Sequence, residues 1–242
     1  MSELRTLLSD TTEKILSNLP GDETAAWKQV NASGLANVMA AENENGFGGG
    51  WEDAFIVLRA TGFHATPIAL GEAVAEVKFK NAGADEKFRT MALVRACQMA
   101  GAMQAALDLS VQYTRERQQF GKALSTFQAI QQQLAVFAEE TAATNMAAAA
   151  ACRAADRGEA LFEIACAKLR ANIAVGTATT VAHQVHGAMG FTAEYRLHHF
   201  TRRLWQWRSE FGNDRYWADK LGAVVAAKGP DGYWPLLADF AA

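Results

Sequence analysis

ERQQFGKALSTFQ, residues 116 to 128, interrupts what would otherwise be one long helical pattern, and its reading decides the fold. Upstream, Leu93, Cys97, Ala100, Met103, Leu107 and Val111 recur every three or four residues, the stripe of a helix packed along one face. Downstream, Ile130, Leu134, Phe137, Thr141 and Thr144 make the same stripe, and Leu161, Ala165, Leu169, Ile173, Gly176 and Thr180 make a third. The stretch from Arg117 to Gly121 therefore reads as a break between two helices, the second beginning a few residues later. Helix-favouring alanine, leucine, glutamine and glutamate dominate from about residue 86 to 185. Small residues, extreme in MAAAAAC at 146 to 152, allow the helices to approach closely. With a fourth helix after residue 192, the expectation is all-α: an up-down four-helix bundle over residues 86–242.

The chain has 242 residues, enough for one large or two small domains. Half of it is apolar, yet no apolar run reaches the length of a membrane span. The start, MSELRTLLSDTTEKILSNLPGDE, is charged and lacks the apolar core of a secretion signal. A net charge of −3 and a pI near 6.0 argue against a dedicated nucleic-acid binder. Cys97, Cys152 and Cys166 are widely spaced in helical patterns, which reads as reduced, buried thiols in a cytoplasmic protein. Residues 1–65 read as a small helical unit. A short amphipathic helix follows Ser9-Asp10, a second runs from Asp22 to Ala41 and a third from Trp51 to Thr61. ENENGFGGGW between the last two is a loop, and its three glycines lack the Lys-Ser/Thr of a phosphate loop. Residues 66–85 form a short connection and are the one plausible strand region.

The side chains exclude several chemistries. No glutamate stands three residues before any of His64, His183, His186, His198 or His199, as a carboxylate-bridged metal site in a bundle requires. No Gly-x-Ser-x-Gly elbow is present, and no cysteine sits at a glycine-rich turn. RLHHFTRRLWQWR, 196 to 208, mixes bases with aromatics, but a bundle helix with Leu197, Phe200, Leu204 and Trp207 inward accounts for it. Arg117 differs: an arginine at a helix end beside a glycine break is a ready anion contact. Gln128 lies just inside the next helix. A second break, HQVHGAMGFTAEY at 183 to 195, places Gln184 before Gly187 and Gly190, where backbone can approach a ligand closely. Two long antiparallel helices separate the breaks and can return them to the same side of a bundle or its dimer.

Together these pieces resemble the C-terminal helical domain of the flavin-dependent acyl-CoA dehydrogenases over about 86 to 222. The matching pieces are Arg117-Gln-Gln-Phe120-Gly121, Phe127-Gln128-Ala-Ile-Gln, Gln184-Val-His-Gly187-Ala188-Met-Gly190-Phe191 and Glu194-Tyr195, followed by a basic helix. The first 65 residues resemble a reduced form of the family's N-terminal helical domain. The resemblance implies FAD bound across a subunit interface, its ring resting mainly on the β-domain of one subunit. The neighbour's C-terminal helices then grip its pyrophosphate and adenosine. On that pattern Arg117 pairs with the pyrophosphate, Phe120 and Gln128 line the same half, and Gln184 and the Gly187 backbone approach the adenosine. The implied reaction is α,β-dehydrogenation of an acyl-CoA, with electrons passed to a separate acceptor.

Two departures shape the expectation. The family's middle β-domain belongs between the N-terminal helices and the helix starting near 86, where only residues 66–85 are available. A compact domain needs at least roughly 50 residues. The family's usual base lies in a Tyr-Glu-Gly-Thr turn, and the matching turn here is Glu210-Phe211-Gly212-Asn213, with Phe211 at the base position and Glu210 one residue early. The alternative base position falls near Met91. The implied protein is thus a small subunit of a heteromeric acyl-CoA dehydrogenase, two copies each of two chains. A full-length partner supplies the β-domain and the glutamate. The rivals are a directly catalytic chain with Glu210 as base, and a cofactor-free structural or assembly subunit.

Overall fold

The computed structural model describes residues 3–79, 82–158 and 160–241. Three long helices dominate it: α5 (Ala84–Glu116), α6 (Gln128–Arg157) and α7 (Leu161–His186). The break at 117–127 folds α6 back along α5, and the short turn after Arg157 folds α7 back along α6. At about 1.5 Å per residue α6 and α7 run roughly 40 to 45 Å each, so α5 and α7 point the same way and end together. Helix α8 (Leu197–Ser209) packs on α5 and α7, and α9 (Asp214–Ala241) on α7. Gly229 (φ 68°) kinks α9 just before Pro230, whose ring cannot continue a straight helix.

In front of this bundle lie α1 (Glu3–Leu16), α2 (Glu23–Ser33), α3 (Trp51–Phe63) and α4 (Leu70–Glu76). Helix α3 crosses α5 almost backbone to backbone. A Cβ at Gly62 would stand 1.9 Å from the Gln98 carbonyl oxygen, and one at Gly101 1.9 Å from that of Arg59. The N-terminus of α3 is capped from the far end of α6: Asp156 accepts from the Trp51 N–H at 2.6 Å and the Glu52 N–H at 2.9 Å. One core joins Leu16, Val30, Leu58 and Val74 to Leu93, Cys152, Ile164 and Trp217. A second, farther along the bundle, joins Met103, Phe137, Val175, Leu197, Phe200 and Leu204.

The all-α expectation holds, and no middle β-domain lies among the described residues. The strands found there are two residues each, Gln118–Gln119 and Lys122–Ala123. The stretch 66–85, expected as strand, instead carries α4 and a 3-10 turn at Val77–Phe79. Its buried positions Leu70, Val74 and Ala75 recur at helical spacing against α5. Ser9-Asp10 lie within α1 rather than before a helix. Helix α2 stops at Ser33, eight residues early, because Gly34 takes the left-handed C-cap conformation (φ 75°).

The stripe assigned to α5 is buried except at Val111, and on α6 Phe137, Thr141 and Thr144 are buried. On α7 the expected stripe is the wrong face: Ile173 is 50% exposed and Thr180 is exposed. Helix α7 touches α5, α6, α8 and α9, so most of its circumference is buried and periodicity cannot single out one side. Cys97 and Cys152 are buried free thiols with sulfurs 3.6 Å apart, and Cys166 is half-buried. The inward positions of α8 are Leu197, Phe200, Leu204 and Trp207, as the sequence indicated. No helix of the described residues is long and apolar enough to cross a membrane.

Candidate functional site

The shared end of α5 and α7 carries both breaks. The last turn of α5 closes when the Arg117 N–H donates to the Tyr113 carbonyl at 2.8 Å, and Arg117 itself leaves the helix extended (φ −74°, ψ 125°). A two-strand hairpin follows, with Gln118 opposite Ala123 and Gln119 opposite Lys122. Its tip, Phe120-Gly121, has φ of 52° and 78°. Two left-handed residues match the twist of a tight hairpin, but the first position ordinarily takes Asn, Asp or Gly. A bulky residue there is strained by about 1 kcal/mol or more. Phe120 gains little packing in return: its side chain is 91% exposed and meets Phe127 edge-on with ring centroids 6.2 Å apart.

On the facing side α7 ends at His186, and Gly187 turns the chain with φ 57° and ψ −139°, a conformation essentially confined to glycine. Between the two breaks opens a cleft of about 410 Å³ whose lining includes Arg117, Gln119, Phe120, Gln184, Gly187 and Met189. Four of the five residues expected at a cofactor site, Arg117, Phe120, Gln184 and Gly187, thus meet in one cleft of a single chain. Gln128, the fifth, opens α6 as an exposed residue and is not part of the lining.

Electrostatically the cleft suits an anion beside an apolar body. No carboxylate of the described residues pairs with Arg117; the C-terminal ends of α5 and α7 favour its cation and oppose an anion, so the anion affinity of the cleft rests on the guanidinium itself. Phe120, Leu124, Val185 and Met189 supply apolar surface. Next to the cleft His183 stacks on Phe191 (4.4 Å, 21°), and burial lowers its pKa. Among the lining residues not expected from the sequence, Tyr113 lies outside both glycine breaks. Tyr113 stands one helical turn before Arg117, which is the signal that could have found it.

Glu210 lies elsewhere, at the end of α8. One carboxylate oxygen accepts from Arg95 Nε at 2.6 Å and the other from Gln206 Nε2 at 2.7 Å. Arg95 also donates to Gln98 at 2.6 Å and pairs with Glu72 at 2.8 Å, its guanidinium lying 5.6 Å from the rings of both Trp207 and Phe211. Arg95, Gln98, Glu72 and Arg203 border a small cavity of about 210 Å³ that Glu210 does not line. Phe211 (φ 52°) packs edge-on against Phe88. The turn after α8 is tied down by fully buried Lys168, which donates to the carbonyls of Trp207 (3.0 Å), Arg208 (3.2 Å) and Gly212 (3.1 Å) and to Asn172 (2.7 Å). Among the described residues no cluster of histidine, cysteine and acidic side chains could hold a metal ion.

Two long helices returning to one end, with an arginine-bearing hairpin facing a glycine-rich turn, define a class: the helical domain at the C-terminal side of acyl-CoA dehydrogenases. Residues 82–215 match the family model described as acyl-CoA dehydrogenase, C-terminal domain, and the chain belongs to that family. A probable acyl-CoA dehydrogenase of Mycobacterium leprae, fadE25, is 38% identical over 107 residues, which are 43% of this chain and 28% of that protein. The chain thus aligns with little more than a quarter of this relative's length. In three dimensions it resembles a chain of the ChsE4–ChsE5 complex from Mycobacterium tuberculosis, at a TM-score of 0.81, 14% identity and coverage of 93% of this chain and 98% of that one. It equally resembles PigA, solved with FAD and proline, at a TM-score of 0.82, 12% identity and coverage of 95% and 99%. At such identities these two likenesses concern the fold.

Proposed function

We propose that the chain is a subunit of a heteromeric, FAD-dependent acyl-CoA dehydrogenase and grips the adenosine–pyrophosphate half of the flavin for a catalytic partner. One observation carries this reading: Arg117, Phe120, Gln184 and Gly187, far apart in sequence, converge on a single cleft. The residues fit the group. Arg117 offers a guanidinium fork for phosphate oxygens, with no carboxylate partner among the described residues. Gln184 offers an amide, Gly187 a close backbone approach, and Phe120 with Met189 an apolar wall for a flat base. Bound FAD supplies hydride acceptance in the α,β-dehydrogenation of an acyl-CoA thioester, with a separate acceptor taking the electrons onward. This chain's own residues bind and orient; Gln128 lies outside the cleft.

The partner is a full-length acyl-CoA dehydrogenase subunit, arranged as two copies of each chain. Helix and a 3-10 turn stand where the family has its middle β-domain, so the flavin ring needs a seat on another chain. Supporting this, the chain shares its fold with a protein from the two-component ChsE4–ChsE5 complex. Phe120, strained and exposed at the rim of the cleft, supports a contact with such a partner. Direct catalysis through Glu210 is the weaker reading, because both carboxylate oxygens are engaged by Arg95 and Gln206 and Glu210 does not line the neighbouring cavity.

The test is to purify the chain alone and together with its partner, recording flavin absorbance and acyl-CoA oxidation. The complex should hold flavin and be active, the isolated chain neither. Arg117→Ala should weaken flavin retention roughly tenfold or more with assembly unchanged, since a charge-assisted phosphate contact is worth about 1.5 to 3 kcal/mol. Stoichiometric flavin and turnover in the isolated chain would falsify the subunit reading. Full flavin retention by the Arg117→Ala complex would favour a cofactor-free structural subunit.

A further inference from the structure

Tyr113 lines the same cleft one helical turn before Arg117, yet neither glycine break contains it. Its ring lies against His186 (centroids 4.5 Å apart, 32°) and edge-on to Tyr195 (6.1 Å, 74°). These neighbours are themselves fixed. The Ala182 carbonyl can only accept, so His186 Nδ1 donates to it at 2.7 Å, leaving Nε2 to accept from the Tyr195 hydroxyl at 3.0 Å. Burial holds the His186 pKa down, which keeps the ring in this neutral tautomer. The Tyr195 hydroxyl is therefore committed within the cluster. The Tyr113 hydroxyl has no hydrogen-bond partner among the described residues.

We infer that Tyr113 is a further binding residue of the cleft, its phenol donating to a phosphate oxygen of a nucleoside diphosphate group held by Arg117. This rests on the cofactor reading above and extends it to a residue outside both sequence motifs. Geometry supplies the reasons. Tyr113 stands one helical turn before the C-cap residue Arg117, and both line the same cleft at the end of α5. The two aromatic contacts fix the Tyr113 ring before any ligand arrives, so little side-chain freedom is lost on binding. Tyr113 is an O–H donor in the same cleft as Arg117, a cation with no carboxylate partner among the described residues, and the two together suit an anion rather than a neutral base.

ADP, which has the adenosine and pyrophosphate but no flavin ring, is the probe. Its affinity for the flavin-free complex of the chain with its partner is measured by calorimetry for wild type, Tyr113→Phe and Arg117→Ala, together with the thermal midpoint of each in the absence of ligand. Tyr113→Phe keeps the ring and its stacking, so ADP should bind about tenfold more weakly with the midpoint unchanged. A purely structural role would lower the midpoint along with the affinity, and that result overturns the assignment. So does wild-type ADP affinity in Tyr113→Phe while Arg117→Ala is weakened; this outcome leaves the cofactor reading standing. If wild type binds no ADP, the cofactor reading and this inference fall together.

Discussion

Arg95 illustrates how a single side chain can redirect a functional reading. In the sequence it is one cation within a helical stripe. In the structure its three nitrogens engage Glu210, Gln98 and Glu72 while Trp207 and Phe211 flank its plane. Breaking such a buried network leaves carboxylates without their partner. Arg95→Met should therefore cost about 3 kcal/mol of stability, measured by denaturant unfolding. Glu210→Gln keeps the shape and loses one charge-assisted bond, so it should cost about 1 kcal/mol. If Glu210 is a network member and not a base, Glu210→Gln in the complex leaves acyl-CoA oxidation at wild-type rate; loss of turnover with flavin retained would restore Glu210 to catalysis.

Among the elements, Lys168 and the α3–α5 crossing set how the helices lock. Burial pulls the Lys168 pKa from its ordinary value near 10.5 down to about 7. A lysine whose folded pKa lies below its unfolded one binds fewer protons when folded, so stability rises with pH between the two values and is lost as pH falls from 10.5 through 7. Lys168→Met lacks this dependence and leaves the Trp207, Arg208 and Gly212 carbonyls without their donor, a loss of about 1 to 3 kcal/mol. The wild-type thermal midpoint should thus exceed that of Lys168→Met, and the gap should widen from pH 7 towards pH 10. At the crossing, Gly101→Ala would place a methyl group on the Arg59 carbonyl and push α3 off α5. Overpacking of this kind costs about 1 to 3 kcal/mol, and a comparison of thermal midpoints measures it. No helical period announces either feature: a lysine at a core position and two glycines in mid-helix look like surface and weakness until the facing element is known.

For the molecule as a whole, the bundle joins one end, where α1 to α4 share a core with α5 and α9, to another that ends in the cleft. Mixing the chain with its partner should give a complex of two copies of each, read by native mass spectrometry. A complex of other stoichiometry would revise the arrangement, and a homodimer alone would remove the partner. Much of this was legible in the sequence. Composition and the three-and-four spacing specified long helices, the Arg117 and Gly187 breaks specified where they turn, and the residue types at those breaks picked out four residues that line one cleft. Local chemistry determines such things, because helix propensity, caps and left-handed turns act within a few residues. Only the tertiary structure decided which face of α7 is buried, that Leu70–Glu76 is helix, that Tyr113 joins Arg117 in the cleft while Gln128 does not, and that Glu210 belongs to Arg95. Each of these depends on which elements meet, and contacts between residues as distant as 95 and 210 leave no period in the chain that makes them.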